Sequence, residues 1–155
     1  MTDLFGTDRF DLLPHLASLL LAYFLALPIG WNREKEERSA GLRTFPLVAV
    51  ASCGFFQATE GLVGDSPEAA ARIVEGLITG MGFIGGGAIL KVRDSVKGTA
   101  TAASLWVTGA IGLAVGLGAL DVAILLAIIA FVTLTLLAPL KKIVEPNADV
   151  RSESE

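Results

Sequence analysis

Three groups of residues have types and spacings that could carry chemistry. The first is acidic. Glu60 stands near the end of one apolar stretch and Glu75 near the start of the next. Arg72 is three residues before Glu75, on the same face if the segment is helical. Mg2+ keeps several waters and takes one or two carboxylates. Glu60 and Glu75 are therefore candidate ligands in an acidic vestibule, set against a plain Arg72–Glu75 ion pair at a membrane boundary. The second group is the mixed-charge segment Asn32-Arg33-Glu34-Lys35-Glu36-Glu37-Arg38-Ser39-Ala40-Gly41-Leu42-Arg43-Thr44. A solvated turn that also fixes topology accounts for much of it. Arg43 differs because it opens an apolar run, so it needs backbone carbonyls, a carboxylate such as Glu34, or a lipid phosphate. The third group is Thr99, Thr101 and Ser104, ahead of Trp106. Such hydroxyls can cap a helix, bond across helices or help a helix start to hold an anion. Capping and packing are the expectation.

Other chemistries lack their residues. With one cysteine, Cys53, an internal disulfide and a cysteine zinc site are excluded. The lone His15 cannot build a histidine-rich metal site, and its nearest acid, Asp11, suits an interfacial i,i+4 pair. There is no Ser–His–Asp set, no HExxH and no GxxxxGK[ST]. The expectation is a protein that is not an enzyme and requires no cofactor, with Mg2+ binding left open. The net charge of -4 gives no basic surface for nucleic acid.

The elements that would position these groups are membrane helices. Of 155 residues, 53% are hydrophobic and 18% charged, and the charges cluster between long apolar stretches. Mean hydropathy is +0.65. A helix needs about 20 apolar residues to span the bilayer core, and five stretches qualify: Leu12–Trp31, Arg43–Val63, Ile73–Leu90, Thr99–Gly118 and Val122–Leu140. Continuous apolar runs without period-2 alternation predict helices rather than a barrel. The first run lacks a basic n-region and is too long for a cleaved signal. The expected fold is thus an all-α integral membrane protein of five transmembrane helices. Ten Lys and Arg fall on one side of that topology and two, Arg9 and Arg72, on the other. The positive-inside rule then puts the N-terminus outside and the C-terminus in the cytoplasm. Residues 1–11 read as a polar outer N-terminus, 12–140 as the membrane domain and 141–155 as a disordered cytoplasmic tail. The short connection from Gly118 to Asp121 makes the last two helices an antiparallel hairpin.

Glycine is concentrated in the third helix, in Gly80-Met81-Gly82-Phe83-Ile84-Gly85-Gly86-Gly87. Gly76/Gly80 and Gly82/Gly86 have the spacing that lets helices approach closely in lipid, and Gly112/Gly116 repeats it in the fourth helix. These residues and Gly85 predict packing between helices three and four or a dimer contact, with an unwound segment lining a path as the alternative.

Taken together, three segments resemble the MgtC/SapB family. Gly30-Trp31-Asn32-Arg33-Glu34 with Ala40-Gly41-Leu42-Arg43-Thr44 is similar to its first cytoplasmic loop. Arg72 with residues 80–87 is similar to its glycine-rich helix, and Gly98-Thr99-Ala100-Thr101-Ala102-Ala103-Ser104-Leu105-Trp106 to its helix-four signature. Asn32, Phe45, Glu75 and Ala100 depart from that pattern. The resemblance covers the membrane part, about residues 12–140, without the soluble domain that MgtC-type members carry. It implies a multi-pass protein of the bacterial inner membrane connected with magnesium homeostasis, in a family linked to virulence. It further implies a non-enzymatic regulator bound to other membrane proteins, such as an F-type ATP synthase or a P-type ATPase. A small homo-oligomeric transporter or channel for Mg2+ or another cation is the second expectation.

Overall fold

The computed structural model describes residues 12–36, 40–63, 66–92 and 95–144. Five helices account for most of them: α1 Leu12–Lys35, α2 Thr44–Val63, α3 Pro67–Gly87, α4 Thr99–Gly116 and α5 Leu120–Val144. Their ends follow from local chemistry. The Ser66 side chain accepts the Ala69 N–H, Pro67 fills the first turn, and Glu68 faces the positive end of the dipole, so α3 starts there. Gly98, at φ 91°, precedes α4. Gly118, at φ 76°, turns α4 into α5. That conformation suits glycine because it has no Cβ to clash. The tight α4–α5 hairpin follows.

Several boundaries differ from the sequence reading. The first helix runs beyond Trp31 and carries Asn32, Arg33, Glu34 and Lys35 in its last turns rather than in a loop. The fifth reaches Val144, so residues 141–144 are helical; residues 1–11 and 145–155 lie outside the described residues. Between α3 and α4, a short antiparallel hairpin, β1 Leu90–Val92 and β2 Ser95–Lys97, pairs Leu90 with Lys97 and Lys91 with Val96. Three-residue strands are too short for an alternation signal, and the segment reads as a loop in sequence.

The core is built from small residues. Ala22, Ala26 and Ile29 of α1 face inward, as do Phe45, Ala49 and Cys53 of α2 and Ala123, Ala127 and Ala130 of α5. Large apolar side chains such as Leu13, Phe24, Phe55, Phe83 and Ile129 face outward. A water-soluble bundle would expose far too much apolar surface this way. A bundle in lipid gains its stability from close packing of small residues instead. Among the described residues, three helices are long and apolar enough to cross a membrane: Leu12–Lys35, Thr99–Gly116 and Leu120–Leu137, with a shorter apolar run in Thr44–Thr59. In α3, six glycines and the charged Glu68, Arg72 and Glu75 dilute the hydropathy. The chain is a helical membrane protein. Helix α4 lies at its centre and touches α1, α2, α3 and α5.

Candidate functional site

The motif residues of the first loop are assembled on the last turns of α1. Gly30 and Glu34 lie one turn apart on one face. A Cβ at Gly30 would sit 3.2 Å from the Gly41 carbonyl oxygen and 3.3 Å from the Phe45 Cβ, so residues 41–45 press on this glycine. One turn on, the Glu34 Oε2 accepts the Leu42 N–H at 3.0 Å. The Gly41 carbonyl in turn accepts the N–H groups of Thr44 and Phe45 at 3.0 and 3.1 Å, which starts α2. Glu34 therefore places negative charge at the positive end of α2. A Cβ at Gly41 would overlap the Glu34 carboxylate. Gly41 has no positive φ; glycine is needed there for space.

Arg33 points the other way and is 3% exposed. Its Nε and Nη2 donate to Asn32 Oδ1 at 3.2 and 2.6 Å, and Nη2 pairs with Glu36 Oε2 at 3.1 Å. Asn32 Nδ2 donates to Thr135 Oγ1 at 3.4 Å, which ties α1 to α5. A buried guanidinium is stable only with such partners. Trp31 is exposed, with the Lys35 ammonium 5.2 Å from its ring centroid.

Among the described residues, Arg43 meets neither Glu34 nor a carbonyl. Glu34 is engaged by Leu42, and Arg43 is exposed without a hydrogen bond or ion pair to any described residue. With Thr44 it stands at one end of a cleft between α2 and α3 of about 680 Å³, lined mainly by apolar side chains.

The hydroxyl group of α4 does not cap the helix. Gly98 occupies the cap position without a side-chain bond, and Thr99 is exposed. Thr101, Ser104 and Thr108 are buried. Ser104 Oγ donates to the Ala100 and Thr101 carbonyls at 2.8 and 3.0 Å, and Thr108 to the Ser104 carbonyl at 2.8 Å. These bonds stay within the helix, so the expectation of side-chain capping is corrected: a left-handed glycine already makes the turn. Trp106 is exposed.

The glycines divide into two classes. In α4, Gly112 and Gly116 lie against the backbone of α2 rather than α3: a Cβ would overlap the Ala49 carbonyl at Gly112, and at Gly116 would stand 3.1 Å from the Cys53 carbonyl. Gly109, which sequence reasoning did not single out, receives the Met81 side chain. In α3, Gly85 faces the Ala102 carbonyl of α4 at 3.4 Å. A Cβ at Gly76, Gly80, Gly82, Gly86 or Gly87 would meet nothing within 4 Å. The packing of α3 on α4 thus runs through Gly85 and Met81, and the two spaced glycine pairs of α3 stay open.

Arg72 and Glu75 are both exposed and form no ion pair with each other, contrary to expectation. An exposed pair gains little once side-chain entropy is counted. The Glu60 side chain and Asp11 lie outside what is described, so the acidic vestibule and the His15–Asp11 pair have no described geometry. No group of three or more His, Cys, Asp or Glu side chains converges among the described residues.

This geometry belongs to the segments with a family resemblance, and the sequence profile of the MgtC family matches residues 19–143. The chain belongs to the MgtC family. It is 37% identical to Protein MgtC of Salmonella typhimurium strain LT2, over 72% of this chain and 47% of that protein. It is 36% identical to Protein MgtC of Brucella abortus strain 2308, over 88% of this chain and 57% of that protein. With Protein SrpB of Synechococcus elongatus it shares 41% identity over 64% of this chain and 62% of that protein. The chain spans about half the length of the MgtC relatives it matches. No solved structure matches it significantly. In this MgtC-family chain the signature residues serve two purposes: Gly30, Glu34 and Gly41 lock the α1–α2 turn, and the α3 glycines present open helix faces.

Proposed function

We propose that this chain is a non-enzymatic regulator associated with magnesium homeostasis, acting in the bacterial inner membrane through contacts with other membrane proteins. One observation carries the reading. Gly82 and Gly86 lie four residues apart on α3, and a Cβ at either would meet nothing within 4 Å among the described residues. Glu75 precedes Gly82 by seven residues and shares that face. Phe83, 87% exposed, stands beside it. Small residues at this spacing let a second helix approach to backbone contact. The partner is another membrane protein, a P-type or F-type ATPase by family resemblance. Five spans with the N-terminus outside and the C-terminus cytoplasmic complete the proposal, supported by the split of basic residues. The alternative of a cation transporter draws less support, since the cleft between α2 and α3 is apolar and headed by Arg43.

The test is copurification in mild detergent from membranes grown at low Mg2+. A discrete membrane partner should coelute with the chain and be lost with Gly82→Leu or Gly86→Leu, while the variants remain folded. Recovery of the chain alone, or a partner retained by both variants, would overturn the reading. Reconstituted liposomes showing Mg2+ flux sensitive to Glu75→Gln would replace it with the transporter.

A further inference from the structure

The cleft between α2 and α3 lies on a different side of α3 from the proposed partner face. Gly76 and Gly80 line it, whereas Gly82 and Gly86 do not. Its volume is about 680 Å³, and Leu47 and Ser52 lie on its α2 wall. On the α3 wall, Gly76 and Gly80 leave gaps between the side chains of Ile73, Leu77, Met81 and Ile84, so the cleft runs as an apolar slot along α2 and α3. Its α2 wall runs from Arg43 to Thr59, roughly 24 Å at 1.5 Å per residue. One leaflet of the hydrocarbon core is about 15 Å thick, half of the bilayer's roughly 30 Å. The slot is therefore long enough for one acyl chain of one leaflet.

The head of the slot has its own chemistry. Arg43 begins the apolar helix and must sit at the membrane–water boundary, where a charged side chain keeps its head hydrated. Neither its guanidinium nor the Thr44 hydroxyl bonds a described residue. Glu34, the nearest acid along α1, is engaged by the Leu42 N–H. A free guanidinium beside a hydroxyl, directly above an apolar slot, matches a phosphodiester joined to an acyl chain. Arginine binds phosphate oxygens through two parallel N–H bonds, and an anionic headgroup adds attraction to basic residues at the boundary.

We propose that the α2–α3 cleft binds one anionic phospholipid, its acyl chain lying between α2 and α3 and its phosphate held by Arg43 and Thr44. The site is independent of the partner face and would remain if no protein partner existed.

The experiment is native mass spectrometry of the full chain, delipidated in detergent and titrated with phosphatidylglycerol, phosphatidylcholine or inorganic phosphate. One phosphatidylglycerol per chain should bind, in preference to phosphatidylcholine. Arg43→Gln should weaken phosphatidylglycerol about tenfold and erase the preference, the size expected when one charge-assisted bond to phosphate is lost. Arg43→Lys should restore part of it. Gly80→Ile, which places a side chain in open space, should fill the slot and weaken both lipids alike. Unchanged binding in Arg43→Gln, or in Gly80→Ile, overturns the proposal. So does phosphate competing as well as the lipid, which would leave the slot unused. A photo-crosslinker at Leu47 reads the occupant directly. Cross-links to lipid support the proposal, and cross-links to a second copy or another protein in place of lipid refute it. Unaltered melting of each variant in detergent excludes unfolding as the cause.

Discussion

Gly41→Ala tests the α1–α2 lock. The glycine has no positive φ, so alanine brings no backbone strain. Its cost comes from the new methyl group, which overlaps the Glu34 carboxylate. The carboxylate is the far end of a flexible, exposed side chain, so it swings into water rather than forcing the helices apart. Two terms are lost. One is the bond from the Leu42 N–H, which involves a charged acceptor but lies near solvent and is worth about 1 kcal/mol. The other is the carboxylate at the start of α2, worth roughly 0.3–1 kcal/mol. Gly41→Ala should therefore destabilise by about 1–2 kcal/mol. Glu34→Ala removes the same two terms and should cost the same. In the Glu34→Ala background the added methyl meets no carboxylate and only the Cβ at position 34, 3.2 Å away, so Gly41→Ala should cost clearly less there than in the parent. That non-additivity is the signature of a shared contact. Unfolding free energies from SDS titration in mixed micelles, followed by tryptophan fluorescence, would measure all three. Equal cost of Gly41→Ala in both backgrounds would refute the assignment of Gly41 to Glu34.

Gly112→Ala drives a methyl into the Ala49 carbonyl, a backbone atom that cannot rotate away; the same titration should show a loss of about 3 kcal/mol, the upper range for overpacking. Gly76→Ala meets open space and should lie within about 0.5 kcal/mol of the parent or be more stable, since alanine is the better helix former. Gly98→Ala combines φ 91° with overlap of the Ala88 carbonyl, so size-exclusion profiles should show loss of monodisperse protein, at a cost of at least about 2 kcal/mol. Asn32→Leu removes the acceptor that takes both Nε and Nη2 of buried Arg33; it should cost about 1.5–3 kcal/mol and be largely recovered by Asn32→Asp in the same measurement.

The membrane helices were legible because hydropathy and turn residues act locally. Apolar runs set α1, α4 and α5, and the short Gly118 connection set the last hairpin. The partners of the glycines were not legible. Gly82/Gly86 and Gly112/Gly116 have the same spacing, yet the first pair faces open space and the second the α2 backbone. Spacing says that a face is small; which neighbour covers it depends on rotation of the whole helix. The role of Glu34 was hidden for a related reason: its partner is a backbone N–H eight residues away, a contact with no side-chain signature. Arg43 stands out in sequence at the head of an apolar run, but that Glu34 is engaged by the Leu42 N–H instead is visible only in the geometry.

The two glycine classes bear on what α3 is for. Glycine costs about 1 kcal/mol relative to alanine inside a helix. In α4, Gly112 and Gly116 offset that cost by bringing two helices into backbone contact. In α3, five of the six glycines meet nothing in the described chain, so no intramolecular contact offsets theirs. A helix that needed glycine only for packing within the chain could keep Gly85 and carry alanine elsewhere without a clash. In the proposed reading the compensation comes from outside the chain, on two separate faces. Gly82 and Gly86 suit a flat helical partner, and Gly76 and Gly80 suit a thin chain in a slot headed by Arg43. If that division is correct, leucine at Gly82 and isoleucine at Gly80 should disable different interactions, partner retention and lipid retention respectively. Loss of both by either substitution would mean that one surface serves both.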